Sequence, residues 1–176
     1  FDACTGFLVS MYDKTKDDKA LKKVITKFDT KVLAYFRPEN EFLFLHADNA
    51  ELRSTESMKY LSTKRVLQRF TNPYTPQQNG KVERMHRTVD GLISAMLISE
   101  GLPSGFWQWA SEYATLIVNI TPSKVHGKIV DDPWYQMFGV SFSYHLLRIF
   151  GSRAYITDIN ADKKDYGARA LECIFI

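Results

Sequence analysis

The 176-residue sequence predicts an α/β fold, and three observations carry that prediction. Short runs rich in β-branched and aromatic residues alternate with longer stretches of helical period. The run EFLFLHAD at 41–48 is apolar up to a polar end. Val82, Met85, Val89, Leu92, Ile93 and Met96 recur at the i, i+3, i+4 spacing of one helix face. Composition agrees: 45% hydrophobic, 14% aromatic and 24% charged residues describe a chain that can build a core, and exclude a disordered one.

Taken in order, the opening FDACTGFLVSMY alternates apolar positions and reads as a strand. From Lys16 to Phe36, Ala20, Leu21, Val24, Ile25, Phe28, Val32 and Tyr35 fall at helical spacing, with Asp17 and Asp18 suited to the positive N-terminal end. EFLFLHAD predicts a buried strand with a polar C-terminal edge, residues 54–65 a helix capped by Ser54, and VLQRFT a short strand. NPYTPQQNG, with two prolines and a terminal Asn-Gly, is loop. The striped helix follows and ends near the Gly101-Leu-Pro103 breaker. A second helix, from about Pro103 to Asn119, carries Phe106, Trp109, Ala110, Tyr113, Ile117 and Ile120 on one side, its aromatics expected in the core. A stretch punctuated by Pro and Gly, 121–151, leads to a strand-like pair, SRAYIT and LECIFI.

Two cysteines, Cys4 and Cys173, cannot build a disulfide framework, and no Cys/His spacing suggests a structural zinc, so a reducing intracellular compartment is expected. The longest apolar run, 114–120, falls far short of the roughly 20 residues that span a bilayer, and no membrane partner is expected. No signal peptide is visible and the first residue is Phe1, which reads as an internal piece of something longer. The net charge of +3 is unevenly spread. Residues 59–87 hold Lys59, Lys64, Arg65, Arg69, Lys81, Arg84 and Arg87 against the single acid Glu83, a net +6, while both flanks are slightly acidic. Such a window is either a phosphate-facing surface or a solvated helix face.

Two acids stand out by position. Asp48 closes an apolar strand, where open α/β sheets place their ligands, and Glu83 lies on the first turn of a helix, away from its apolar stripe. A strand end and a helix start can bring two carboxylates onto a hard divalent cation, which takes oxygen ligands and substrate phosphates. Spacing alone leaves the alternative open, since Glu83 and Arg87 also make an ordinary i, i+4 surface pair.

The string NPYTPQQNGKVERMHRT at 72–88 resembles the loop and catalytic-helix start of copia-type LTR-retrotransposon integrases, and HADN at 46–49 resembles their second-aspartate motif. GLPSGFWQWASEYATLIVN and PWYQMFGVSFSYHLLRIFGSRAYI are similar to the segments that follow, so the resemblance covers essentially the whole chain in order. It implies a ribonuclease H-like mixed sheet flanked by helices, its first strand missing here, with a helical and small β C-terminal extension. The implied divisions are a truncated catalytic core at 1–101, the following helix at 102–121 and a downstream segment at 122–176. The implied activity is that of a DDE polynucleotidyl transferase, which processes DNA 3′ ends and joins them to target DNA with a pair of Mg²⁺ or Mn²⁺ ions. Asp48 and Glu83 would then be the second and third metal-holding catalytic acids. Tyr74, Gln77 and Asn79 in the loop, with Lys81, Arg84 and Arg87 on the helix, would contact DNA. The partners implied are element-end and target DNA and further copies of the chain, in the nucleus or a cytoplasmic virus-like particle.

The sequence departs from the family in three ways. The first catalytic aspartate would precede Phe1, and Asp2 is not its match. The family's Asp-Asn-Gly-Gly-Glu reads Asp48-Asn49-Ala50-Glu51 here, one residue shorter and without either glycine. The amino-terminal zinc module is absent, and His46, His86, His126 and His145 are too scattered to replace it. The isolated chain is therefore expected to be inactive. A non-catalytic DNA-binding or assembly remnant is the alternative, and an RNase H-type nuclease a less favoured third.

Overall fold

The computed structural model describes residues 2, 5–12, 18–30, 44–47, 55–70, 80–125, 128–158 and 170–176. They fall into two compact units, one of residues 11–86 and one of residues 1–10 with 87–176.

In the first unit the elements are helix α1 (Asp18–Phe28), strand β1 (Phe44–Ala47), helix α2 (Thr55–Thr63) and strand β2 (Leu67–Phe70). β1 and β2 pair in parallel, Phe44 opposite Leu67 and Ala47 opposite Phe70. Parallel neighbours need a crossover, and α2 lies within it. The core is small: Ile25 of α1, Leu61 of α2 and Val66 are buried, with Leu45 and Tyr60 packed on them. α1 keeps Lys22, Lys23 and Lys27 exposed while Ile25 is buried, the amphipathic division its spacing predicts. Past α1, Asp29 accepts a hydrogen bond from the Tyr60 hydroxyl (3.0 Å) and pairs with the Lys64 ammonium (2.8 Å), so α2 is tied to the chain leaving α1.

α2 ends in two backbone bonds, from Val66 N–H to Leu61 O (3.0 Å) and from Arg65 N–H to Ser62 O (3.1 Å). This 6→1 and 5→2 pair is the Schellman motif, whose penultimate residue must be left-handed. That residue is Arg65, at φ 57°, the one non-glycine with positive φ among the described residues. Leu61 and Val66, the apolar pair that accompanies the motif, are 0% and 6% exposed.

The longest helix, α3 (Gly80–Ser99), buries Val89 and half-buries Met85, Leu92, Ile93 and Met96, as the stripe predicts; Val82 is exposed. It ends in the same motif, Leu102 N–H to Leu97 O (2.9 Å) and Gly101 N–H to Ile98 O (3.2 Å), here with glycine at φ 62°. A 3₁₀ turn (Ser104–Phe106) leads into α4 (Trp107–Ile120). The aromatic-core expectation for α4 is corrected in part: Trp109 is 46% exposed, and the buried face is Ala110, Ser111, Ala114, Thr115, Asn119 and Ile120. Small and polar residues are buried there because a chain segment lies close against the helix. Asn119 accepts from Leu8 N–H and donates to Leu8 O, both at 2.8 Å, and Ser10 bonds Thr115 through their hydroxyls.

The strand expected over 1–12 is likewise corrected, since residues 5–12 form none. Asp2 accepts from Thr5 N–H (2.8 Å) in a turn, and the Asn119 amide satisfies both backbone groups of Leu8 that a ladder would have used. Beyond α4 come an antiparallel pair, β3 (Ser123–Val125) and β4 (Lys128–Val130), helix α5 (Pro133–Phe138), a 3₁₀ turn (Tyr144–Leu146) and a second antiparallel pair, β5 (Arg153–Thr157) and β6 (Ala170–Ile174). α5 is capped by Asp132, which accepts from Tyr135 N–H (2.8 Å), with Pro133 in the first turn. Phe7, Trp134, Phe138, Phe142 and Tyr144 join edge-to-face or tilted at 4.7–6.3 Å between ring centres.

Candidate catalytic and nucleic-acid site

The in-register parallel pair sends the carboxyl ends of β1 and β2 to one sheet edge, the edge where α/β proteins assemble ligand sites. Asp48 is the residue immediately after Ala47, and residues 71–79, most of the segment that the sequence predicts as loop, begin immediately after Phe70. Asp48, Tyr74, Gln77 and Asn79 themselves lie outside the described residues. The geometry thus places the two chain exits that the sequence singled out at a common edge.

α3 takes up from that loop at Gly80 and carries the remaining four candidates, Lys81, Glu83, Arg84 and Arg87, all exposed. Glu83 sits in the first turn, where the helix's unsatisfied N–H groups favour a carboxylate. At 100° per residue Glu83 and Arg87 share one side of the helix, well away from Met85 and Val89. Arg84 folds back toward the helix start: its guanidinium would lie 3.6 Å from a Cβ added at Gly80. Among the described residues no three His, Cys, Asp or Glu side chains gather as a metal site. Glu83, a hard oxygen donor with no ion pair among the described residues, fits a divalent cation of the magnesium type.

In the basic window Lys59, Lys64, Arg65, Lys81, Arg84 and Arg87 are all exposed, and Lys64 is paired with Asp29, whose hydrogen bond and charge raise the ammonium's pKa above its ordinary 10.5. Sequence reasoning counted Arg65 only as charge. Its left-handed backbone had no signal, because no glycine or asparagine marks the end of α2. Among the described residues no helix is long and apolar enough to cross a membrane.

No family model matches the chain. It is 32% identical over 133 residues, 75% of its length, to the retrovirus-related Pol polyprotein from transposon TNT 1-94 of Nicotiana tabacum. It is 28% identical over 120 residues, 67% of its length, to the Pol polyprotein from transposon RE1 of Arabidopsis thaliana. The chain spans about a tenth of the length of these curated relatives, 10% and 8% respectively. Among solved structures it resembles the catalytic core domain of BIV integrase, with a TM-score of 0.57 at 17% identity over 77% of this chain and 80% of that one. It also resembles a chain of a simian T-cell lymphotropic virus intasome in complex with PP2A regulatory subunit B56 gamma, with a TM-score of 0.61 at 16% identity over 96% of this chain and 57% of that one.

Proposed function

We propose that this chain, homologous to segments of copia-type plant transposon Pol polyproteins and folded like retroviral integrase catalytic cores, is part of an integrase that binds DNA and joins its ends to a target. One observation carries the reading. The parallel β1–α2–β2 unit has β1 ending at the residue before Asp48, and Glu83 lies in the first turn of α3, which supports the roles that the family resemblance implies for the two acids. Asp48 and Glu83 are two of the acids that would hold Mg²⁺ or Mn²⁺; bound there, the ions stabilise charge on the attacking and leaving oxygens of a phosphodiester. The protein's own part is placement. Glu83 is carried on a rigid helix, while Lys81, Arg84 and Arg87, with Tyr74, Gln77 and Asn79 of the loop, hold the DNA backbone in register. Phosphate contacts of this kind position the substrate and read no sequence. The reaction is a polynucleotidyl transfer by a multimer on element-end and target DNA, in the nucleus or a virus-like particle.

The test uses an integrase that contains this chain. Asp48→Asn and Glu83→Gln each abolish strand transfer with Mn²⁺ while retaining DNA affinity. Strand transfer at the wild-type rate in either variant rejects that residue as a metal ligand.

A further inference from the structure

We propose that Arg65 is a DNA-backbone contact held in place by the end of α2, an inference that rests on the DNA-binding reading above. Arg65 occupies the left-handed position of a Schellman motif at φ 57°, the position that α3 fills with Gly101 at φ 62°. Glycine makes this turn without the Cβ–carbonyl crowding that any L side chain suffers, so arginine there is a cost to the fold. The turn cannot relax to relieve it, because the residues on either side of the motif, Leu61 and Val66, are both buried in the core. The backbone at Arg65 is therefore fixed, and its exposed side chain leaves from a defined point.

The two adjacent cations do different things. Lys64 is tied to Asp29 at 2.8 Å and answers the negative end of α2, so the fold's electrostatic need at this helix end is already met. Arg65 makes no ion pair among the described residues. A strained backbone kept for a side chain that the fold does not use points to a ligand for that side chain. A planar fork of donors matches phosphate oxygens, and Arg65 belongs to the sequence window of net +6.

Position then defines the role. Arg65 lies just before β2, at the edge opposite Ala47 and Phe70, a four-residue strand or about 13 Å away. It is too far to touch the reacting phosphate and belongs to the DNA flanking it.

The test is a salt titration of DNA affinity, from about 50 to 200 mM, on the 176-residue chain and three variants. Arg65→Gly and Arg65→Asn, both at ease in the left-handed region, lower the slope of log K against log salt by about 0.9, the release of one phosphate's counterion. Arg65→Gly also raises the thermal midpoint, and Arg65→Lys keeps the wild-type slope. An unchanged slope in Arg65→Gly, with DNA still bound, overturns this inference alone. Failure of the wild-type chain to bind DNA at the lowest salt overturns the DNA-binding reading and this inference with it.

Discussion

Single residues decide what the core of the second unit tolerates. Asn119, 3% exposed, is the partner of both backbone groups of Leu8 among the described residues, at 2.8 Å each. Asn119→Ala strands a donor and an acceptor where water has little access, so a loss of about 2–3 kcal/mol is expected in urea unfolding. Asn119→Asp keeps an acceptor for Leu8 N–H but turns a second oxygen toward Leu8 O, and should not rescue. A loss within error for Asn119→Ala would show that the segment is held by its aromatic contacts instead. Gly151 is a second such point. It adopts φ 81°, and an added Cβ would lie 2.7 Å and 2.8 Å from Glu100 side-chain carbons and 3.1 Å from Leu102. Gly151→Ala combines left-handed strain with a close contact, for an expected loss of about 2 kcal/mol or more in the same assay. An asparagine inside a helix announces neither partner nor burial, which is why sequence periodicity, keyed to apolar spacing, placed the aromatics of α4 inward and missed its polar seam.

At the scale of elements, periodicity served where one face is apolar and failed where tertiary contacts substitute for it. β1, α2, β2, α3 and the antiparallel β5–β6 pair lie where spacing and breakers predict them, and α3 stops near Gly101 as expected. α1 fills the first part of the expected 16–36 span, of which 31–36 lie outside the described residues. Residues 5–12 have strand composition but form no strand, and Leu8 and Ser10 take side-chain partners on α4 in place of a ladder, a choice no local pattern encodes. The tie between α1 and α2 makes an element-scale prediction with a definite pH sign. Asp29 raises the Lys64 pKa above 10.5, so the folded state holds this proton more tightly than the unfolded chain. The pair's contribution is then complete below about 10.5 and is lost as pH rises through the higher folded value. The stability difference between wild type and Lys64→Met should be flat from neutral pH to about 10 and shrink above it. A difference that persists undiminished into stronger base would mean that Lys64 acts through its methylene stem and not its charge.

For the whole molecule, a candidate site was legible as letters before it was legible as geometry. The parallel register supplies the reason the letters matter: it sends the chain exits to Asp48 and to the 71–79 loop to the same sheet edge, with Glu83 on the helix that follows. Charge gives the molecule its last testable property. Glu83 shares its helix start with Lys81, Arg84 and Arg87, so under the proposed DNA-binding role its carboxylate, without a divalent ion, would repel the phosphates those cations would attract. A bound cation reverses that sign, turning the carboxylate from a repulsive neighbour into an anchor for positive charge. Wild-type chain should therefore bind DNA several-fold more tightly when Mg²⁺ or Mn²⁺ is added at constant ionic strength. Glu83→Gln should bind more tightly than wild type without the ion and gain less from it. The two DNA isotherms, measured with and without Mn²⁺, form a cycle whose coupling isolates the carboxylate–metal interaction. Equal gains for both proteins would separate Glu83 from the metal and leave it as the i, i+4 neighbour of Arg87 on a solvated helix face.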